Sequence, residues 1–363
     1  MMKDNRPVAP ATPPRVWPLE ALIGTFATLG TFALVVWILY NGRDVLMPLA
    51  FAIVVAFVLW TAVDWMGRLP LIGATPIWLR HFVVLGIAVF ALMAMFLQLR
   101  TNIEVLARAV PAYQLNIIDM VERLDLRFGL DELWSGGLSR VLSEQVDLQG
   151  FIRGTLFTLT NIGGLVALIF LYTAFLLVEY TGIVAKMRIA FDDEEGVERL
   201  LSLGHQVNER IGGYLAIKTL INILLGSASY VALLWLGVDL AGFWAIVIGL
   251  LNYVPYLGSA AGVALPSLMA LAQTGNLGQT ALVVVVLSAL QFIIGAVIEP
   301  RVIGQRMNLS PLVVLLSLAC WFAVWGLPGA ALAIPLTVII VSLLGAFSFT
   351  RPFAVMLSNN GRV

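Results

Sequence analysis

The sequence predicts an all-α protein that crosses a membrane several times, and three observations support this fold class. The chain of 363 residues is 60% hydrophobic and 12% charged, with a mean hydropathy of +0.97. Uncharged runs of about 20 residues recur, which is the length that crosses a ~30 Å hydrocarbon core. The 111 residues from Leu240 to Thr350 contain only three charged side chains, and proline and glycine interrupt their apolar runs twice.

Composition also excludes several classes of function. Lys and Arg together number 21, as do Asp and Glu, so no basic surface for nucleic acid is expected. The single Cys320 rules out a disulfide framework. His81 and His205 have no second histidine near them in the sequence, so neither a metal site nor a cofactor is expected. Without a phosphate-binding loop, a zinc-protease motif or an aspartate pair within a span, we do not expect an enzyme.

Five simple spans are expected before the interrupted region. Residues 1–18 contain five prolines and are predicted to form a disordered cytosolic tail. The first three spans then fall within residues 19–99. The five predicted spans are Ala21–Tyr40, Val45–Val63, Phe82–Leu99, Gly154–Val178 and Thr219–Val238.

Basic residues near the span ends predict the orientation, because cytoplasmic loops are enriched in Lys and Arg. They place the loop with Arg68 and Arg80 inside, together with residues 179–218, which include Lys186 and Arg188. The Lys218 side chain is expected to extend to the inner interface. In the same segment, the four consecutive acids Asp192 to Glu195 are interpreted as a solvated helix start and not as a metal site.

Residues 100–153 are then extracytoplasmic. They contain six Arg and eight Asp or Glu, and their apolar positions recur at helical spacing. This pattern predicts an amphipathic helix that forms a lid on the membrane or on the protein, or else a subunit contact. The stripe consists of Leu115, Ile118, Val121 and Leu124.

The last third of the chain allows two foldings. Leu240–Ala272 and Ser310–Ala346 are 33 and 37 residues long, more than one upright span needs, and one more span lies between them. Each is either a tilted or kinked span or a re-entrant hairpin that turns at its break. We favour hairpins, because Arg301 and Arg306 then fall inside and the uncharged loop Gln273–Gln279 falls outside.

The two interruptions are named here the first break, Asn252–Gly258, and the second break, Trp325–Gly329. Each leads into a run of small residues that ends at a proline, which suggests a repeat. Paired interrupted segments point to the substrate site of a transporter, since broken backbone at membrane depth must line a cavity or be buried in protein. The candidate substrate and gate residues are Asn252, Pro255, Tyr256, Gly258, Gly262, Pro266, Gly326, Pro328, Gly329 and Pro335.

Polar side chains within the predicted spans form a second set of candidates. The amides of Asn252, Asn222 and Gln291 need partners in hydrocarbon, and a ligand or a neighbouring helix can supply them. Glu299 and Arg301 form the acid–base pair of the interrupted region. They are candidates for ion coupling or gating. They are equally consistent with an interfacial pair worth less than about 1 kcal/mol.

Two segments resemble the autoinducer-2 exporter family of bacterial permeases. The first runs from Val207 to Gly258 and contains Asn252 before a Pro-Tyr turn. The second runs from Val297 to Leu336. The positions of this second segment that match the family pattern are Pro300, Arg301, Gly304, Leu309, Pro311, Gly326, Gly329 and Pro335.

The resemblance implies a multi-pass protein of the bacterial inner membrane with an outer loop after the third span. It implies transport and a homo-oligomer, for which a pentamer is the first guess. Ser310 stands where many members have histidine before the proline, so a proton relay through that histidine is not expected here.

We therefore expect a secondary permease that exports a small polar molecule across the lipid bilayer, and a compound like autoinducer-2 is the first candidate. Residues 154–350 would form its transport core and residues 351–363 a second cytosolic tail. The membrane potential or a coupling ion, H⁺ or Na⁺, would supply the energy. One alternative is a sodium- or proton-coupled cation antiporter, for which Glu299 is the candidate carboxylate. A second is a non-transporting membrane scaffold that acts through residues 100–153.

Overall fold

The structure, a computed structural model, describes residues 19–70, 75–128, 148–190, 193–303 and 308–361. Its regular elements over these residues are all helices, which confirms the predicted class. The predicted tail 1–18, residues 129–147 of the outer segment, Asp192, Gly304 and Arg306 lie outside the described residues.

Twelve helical elements follow one another in the described chain. They are α1 (Leu19–Asn41), α2 (Arg43–Gly67), α3 (Ile77–Phe128), α4 (Leu148–Ala190), α5 (Glu194–Trp235), α6 (Ala241–Leu251), α7 (Leu257–Thr274), α8 (Leu277–Gln291), a π-helix (Phe292–Ile298), α9 (Glu299–Ile303), α10 (Pro311–Ala346) and α11 (Arg351–Leu357).

Seven described helices are long and apolar enough to cross a bilayer, and the bent helix α4 would add an eighth. The first four predicted simple spans lie within α1 to α4, and the fifth begins within α5 and ends just beyond Trp235, the last residue of that helix. Contacts divide the chain into two units, one ending at Leu46 and one starting at Met47. In the first unit, none of the described α1 side chains is buried, as expected of a helix whose surroundings are apolar.

Short polar side chains begin several of these helices. The Asp193 side chain accepts a hydrogen bond from Gly196 N at 3.0 Å and so caps α5. This confirms that the acidic cluster is a helix start. Asn276 caps α8 in the same way, and Ser310 caps α10 just before Pro311 at its first position.

Helix α3 is longer than the sequence pattern suggests, because the third span continues into the outer segment without a break. It is one helix of 52 residues through Pro111, so the amphipathic stretch does not start as a separate helix. An i,i+4 pair between Arg100 and Glu104 lies where a boundary was expected. Of the predicted stripe, Val121 is buried and Leu115 is 63% exposed.

The first broken segment, Ala241–Thr274, doubles back on itself and is called hairpin 1. Gln273 Oε1 accepts a hydrogen bond from Asp239 N at 2.9 Å, and Gln273 Nε2 donates to Gly237 O at 2.9 Å. A continuous helix would separate Asp239 from Gln273 by about 50 Å. The two ends of the segment therefore lie together, with the first break at its tip.

The second broken segment is α10, called hairpin 2, and it also reverses. Gly326 has φ 67° and ψ −147°, which no helix can contain. Across this kink, Trp321 Nε1 donates to Thr337 Oγ1 at 3.4 Å, whereas 16 residues of straight helix would span about 24 Å. The chain therefore folds back at the second break as well.

The C-terminal residues close the base of hairpin 2. Asn359 N donates to Asn308 O at 3.0 Å, and Ser310 N donates to Leu357 O at 3.2 Å. The short helix α11 packs against α10 just before this pairing. The described part of the segment predicted as the second cytosolic tail is therefore packed on hairpin 2.

The contact at the base of hairpin 1 predicts which positions share a side of the membrane. Cysteines placed singly at Asp239 and Gln273, in a Cys320→Ala background, should both react with an impermeant maleimide from the same, outer side. The Asp239 backbone N–H donates to the Gln273 side chain, so the two positions are in direct contact and no bilayer can separate them. Labelling of intact and inverted vesicles measures this. Reaction of the two cysteines from opposite sides would contradict the hairpin.

Candidate functional site

The first break contains a strained turn at Tyr256. This residue has φ 62° and ψ −54°, and Leu257 N donates to Pro255 O at 2.7 Å across it. These values describe a three-residue γ-turn with positive φ, a conformation that is rare for a residue with a side chain. The Tyr256 side chain is 63% exposed, so packing of the ring does not compensate for the strain.

Glycine lets the chain pass close to itself at both breaks. A methyl group added at Gly258 would overlap the carbonyl oxygen of Leu251, and one added at Gly329 would overlap that of Trp321. Both contacts join the helix that follows the break to the end of the helix before it. The two glycines selected from the sequence pattern thus have the same local role in the two hairpins.

The remaining candidates from the breaks lie along the second helix of each hairpin. Gly262 faces Gln291 of α8, and a Cβ atom there would lie 3.0 Å from Gln291 Nε2. Pro266 and Pro335 are buried inside α7 and α10, and Pro328 directly follows the kink. A proline inside a helix leaves a carbonyl without its usual partner, so each proline loosens the backbone near a break.

Two asparagines connect the first break to α5. Asn252 Nδ2 donates to Asn222 Oδ1 at 2.8 Å, and both side chains are buried. This is the interhelical hydrogen bond that the sequence offered as one alternative. The Asn222 Nδ2 group is buried beside the Tyr253 hydroxyl, without a well-aligned hydrogen bond among the described residues. Beside this pair, the hydroxyls of Thr219 and Tyr253 hydrogen-bond at 2.7 Å.

A buried polar row runs along one face of α5. Tyr214, Lys218 and Asn222 are spaced four residues apart, so they point in the same direction, and all three are buried. Near this row the backbones of α5 and α6 come close at Gly249, where an added methyl would lie 3.1 Å from Asn222 O. The row therefore extends through two helical turns between the start of α9 and the first break.

Lys218 forms the buried charge pair of this row. Its Nζ lies 2.5 Å from Glu299 Oε1, and the two side chains are 5% and 21% exposed. The expectation that Lys218 reaches the inner interface was wrong, because a carboxylate on a neighbouring helix supplies a nearer partner. Glu299 thus pairs with Lys218 across helices, while Arg301, the acid's predicted partner two residues away, is exposed.

A π-helix places Glu299 at this position. It covers Phe292–Ile298, and Glu299 N donates to Ile294 O, five residues earlier. The wider turn of the π-helix changes the direction in which the side chains after Gln291 point. Short π-helical stretches inside α-helices are frequent at functional sites. The Gln291 Nε2 group beside it is buried without a well-aligned acceptor in the described part of the chain.

A cavity of about 670 Å³ lies between α3, α5 and α6. Its walls are mostly apolar, and small residues such as Gly226, Ala245 and Gly249 form much of its lining. Thr219, Asn222 and Tyr253 supply polar groups to the same cavity. An apolar pocket with a few convergent polar groups is typical of a small-molecule site. This cavity adjoins the first break through Asn222.

Sequence reasoning found the breaks and the asparagines, but it missed Lys218, Thr219 and Tyr253. The signal that could have found Lys218 is its position one turn before Asn222 and one turn after Tyr214, on a single face of a long helix. No sequence pattern indicated that Glu299, 81 residues further on, would be its partner.

These features define a multi-pass helical membrane protein with two broken helices and a charge pair in its core. A sequence model of the family described as "AI-2E family transporter" matches residues 26–349, and the chain belongs to this family. The resemblance found in the sequence is thereby confirmed. The family is one of membrane transporters and not of enzymes, and its members act on a substrate across a lipid bilayer.

Individual relatives share about a quarter of their residues with the chain. The chain is 26% identical to a protein of Borreliella burgdorferi named "Putative transport protein", over 87% of this chain and 85% of the relative. It is 27% identical to the Escherichia coli K12 protein "Putative transport protein YhhT", over 82% and 84%. It is 25% identical to "AI-2 transport protein TqsA" of the same strain, over 91% and 94%.

The close approaches at the breaks lead to a stability prediction. Gly258→Ala and Gly329→Ala should each destabilise the fold by about 1–3 kcal/mol or more, because the methyl group meets a backbone carbonyl that no rotamer change can move. Gly86→Ala is the matched control on α3, since no atom lies within 4 Å of its added methyl. Thermal unfolding in detergent should show lower midpoints only for the first two variants. Three equal midpoints would contradict this account of the breaks.

Proposed function

We propose that the protein is a secondary transporter that exports a small polar molecule across the bacterial inner membrane. The observation that carries the proposal is the buried Asn222–Asn252 contact at the first break, which lies beside the cavity and the Tyr253 hydroxyl. Polar groups that face the interior of a membrane bundle mark substrate or ion pathways. The name of TqsA, at 25% identity, supports a cargo similar to autoinducer-2.

Both hairpins are proposed to be re-entrant, each entering and leaving the bilayer on one side. Positive charge near the span ends then puts the N- and C-termini in the cytoplasm. Hairpins that enter from opposite sides bring two breaks to mid-membrane, which is the geometry of alternating access. The proposed assembly is a homo-oligomer, with a pentamer as the first state to test.

The candidate residues have distinct proposed roles. Asn252 offers its amide to the substrate, while Tyr256 at the exposed tip makes the first contact. The glycines and prolines of the two breaks, from Gly258 to Pro335, allow the backbone to close and open around it. The energy would come from the membrane potential, about 2.3 kcal/mol per charge per 100 mV, or from an ion gradient.

Asn252→Ala tests the role of the first break. If Asn252 binds the substrate, the variant should transport at about one fifth to one tenth of the wild-type rate, because a lost hydrogen bond to a polar ligand is worth about 1–1.5 kcal/mol. Flux into inverted vesicles would be measured for autoinducer-2 and a panel of small polar metabolites, per folded protein.

Asn41→Ala is the control, since the Asn41 side chain is exposed and bonds only within its own helix. Asn222→Ala removes the same interhelical hydrogen bond together with the amide that lines the cavity, so it tests the other half of the pair. Wild-type flux by folded Asn252→Ala protein would remove Asn252 from the substrate site.

A sodium- or proton-coupled cation antiporter is the second candidate, and the buried Lys218–Glu299 pair favours it. Glu299 is the only acidic residue between Leu240 and Thr350, so a cation that needs a carboxylate there must use it. A cation that binds Glu299 would displace the Lys218 ammonium.

Single and double substitutions of this pair distinguish coupling from structure. As a coupling site, Glu299→Gln should abolish the dependence of transport on pH or sodium, because the group that binds the cation is gone. As a structural pair, Glu299→Gln and Lys218→Met should each cost about 3–5 kcal/mol of stability, since each leaves one charge buried alone, and the double substitution should cost less than their sum.

The exposed pair Lys186–Glu179 on α4 provides matched control substitutions, Lys186→Met and Glu179→Gln. These should change neither stability nor coupling by a measurable amount, because an exposed pair is worth about 1 kcal/mol or less. Unchanged pH and sodium dependence in Glu299→Gln would dismiss the antiporter.

A further inference from the structure

Helix α3 holds the base of hairpin 1 from the side. Tyr113 donates its hydroxyl hydrogen to Asp239 Oδ2 at 2.9 Å, and Asn116 Nδ2 donates to Gln273 O at 2.6 Å. Gly275, with φ 58°, packs so closely on this helix that an added methyl would lie 2.9 Å from Asn116 O. Both ends of hairpin 1 are therefore bound to one rigid helix.

One hydrophobic core joins α3 and hairpin 1 to α5 and α8. It contains Tyr113 of α3, Leu225 and Leu233 of α5, Ile248 of α6, Ala270 of α7 and Leu287 of α8. Interiors packed in this way resist continuous deformation. We call these helices the fixed unit, since hydrogen bonds at the base and this shared core hold them to one another.

Hairpin 2 packs in a different core. Its buried members Leu318, Ala330 and Ala333 come from both arms of α10, with Trp321 beside them. One buried residue of that core is not part of hairpin 2: Val254, from the first break, which is 4% exposed. Helix α10 also packs against α5, but among the buried residues of this cluster Val254 is the one that belongs to the fixed unit.

We infer that the protein changes state by moving hairpin 2 against the fixed unit, and that Val254 is the residue that closes the boundary between them. This rests on the proposed transport function. Val254 follows Asn252 by two residues at the first break, so the boundary lies next to the asparagine pair. The valine side chain is apolar, so it excludes water from the boundary, and it has no hydrogen bond to break when the boundary opens.

Two crosslinks in a Cys320→Ala background test the boundary. The first joins Val254→Cys to a cysteine at Leu318, Ala330 or Ala333, taken in turn. The second joins Tyr113→Cys to Asp239→Cys inside the fixed unit. A short bifunctional methanethiosulfonate bridges each pair, and flux is measured before bridging, after bridging and after reduction of the same preparation.

Bridging Val254 to hairpin 2 should reduce flux to about a tenth or less, reversibly, because it prevents the conformational step that limits turnover. Bridging Tyr113→Cys to Asp239→Cys should leave flux within about twofold, because these positions move together. Loss of flux on bridging within the fixed unit, or full flux with all three Val254 bridges, overturns the inference.

A second measurement does not depend on the cargo. In unbridged protein, Val254→Cys should react with a small thiol reagent at least about tenfold faster than Ala270→Cys, which is also buried but lies in the shared core of the fixed unit. If the wild type transports nothing and this difference persists, the transport proposal fails while the moving boundary stands. Equal slow reaction at both positions overturns the boundary.

Discussion

The backbone of the two breaks has to be satisfied without water, and the rest of the core depends on how this is done. At the first break, successive turns use the free groups: Val254 N donates to Leu251 O at 2.9 Å, and Gly258 N donates to Val254 O at 2.9 Å. Close return of the chain is needed for these bonds, and only glycine leaves the space for it. Because the backbone closes on itself, the Asn252 side chain remains free to bond across to α5. The first break therefore has an ordered, hydrogen-bonded backbone and still presents a polar side chain to α5.

The buried charge pair has a different energetic status from the hydrogen-bonded turns. Removing two ions from water often costs as much as their attraction returns, so a buried pair is weak evidence of stabilisation. Two helical elements nevertheless form the pair: α5 carries Lys218, and Glu299 directly follows the π-helix Phe292–Ile298. A helical irregularity next to such a pair is more easily explained by a role in binding or switching than by stability alone.

Hydropathy and the positions of proline and glycine were sufficient to predict the order of the simple spans and to locate both breaks, whereas the choice of reversal over a kinked span came from the basic residues. They were sufficient because lipid imposes a length on helices and penalises free backbone. Partners distant in sequence were not predictable. Lys218 near the start of a span has the pattern of a snorkelling residue, and the pattern is identical whether a carboxylate faces it or not. Likewise, an amphipathic stripe such as that of Leu115 and Val121 does not reveal whether the helix is separate or continues from a span.

The length of α3 has a consequence for molecules that bind the protein from outside. Its 52 residues extend about 78 Å, more than twice the thickness of the hydrocarbon core, so one part projects well beyond the bilayer. An antibody that binds this projecting part of α3 would contact the same surface in either state of the transporter. A ligand with equal affinity for two states changes the balance between them not at all, however tightly it binds. Such an antibody would raise the melting temperature by mass action and leave the turnover rate unchanged. The projecting part of α3 is therefore a suitable binding site for an antibody used in imaging and a poor target for inhibitors.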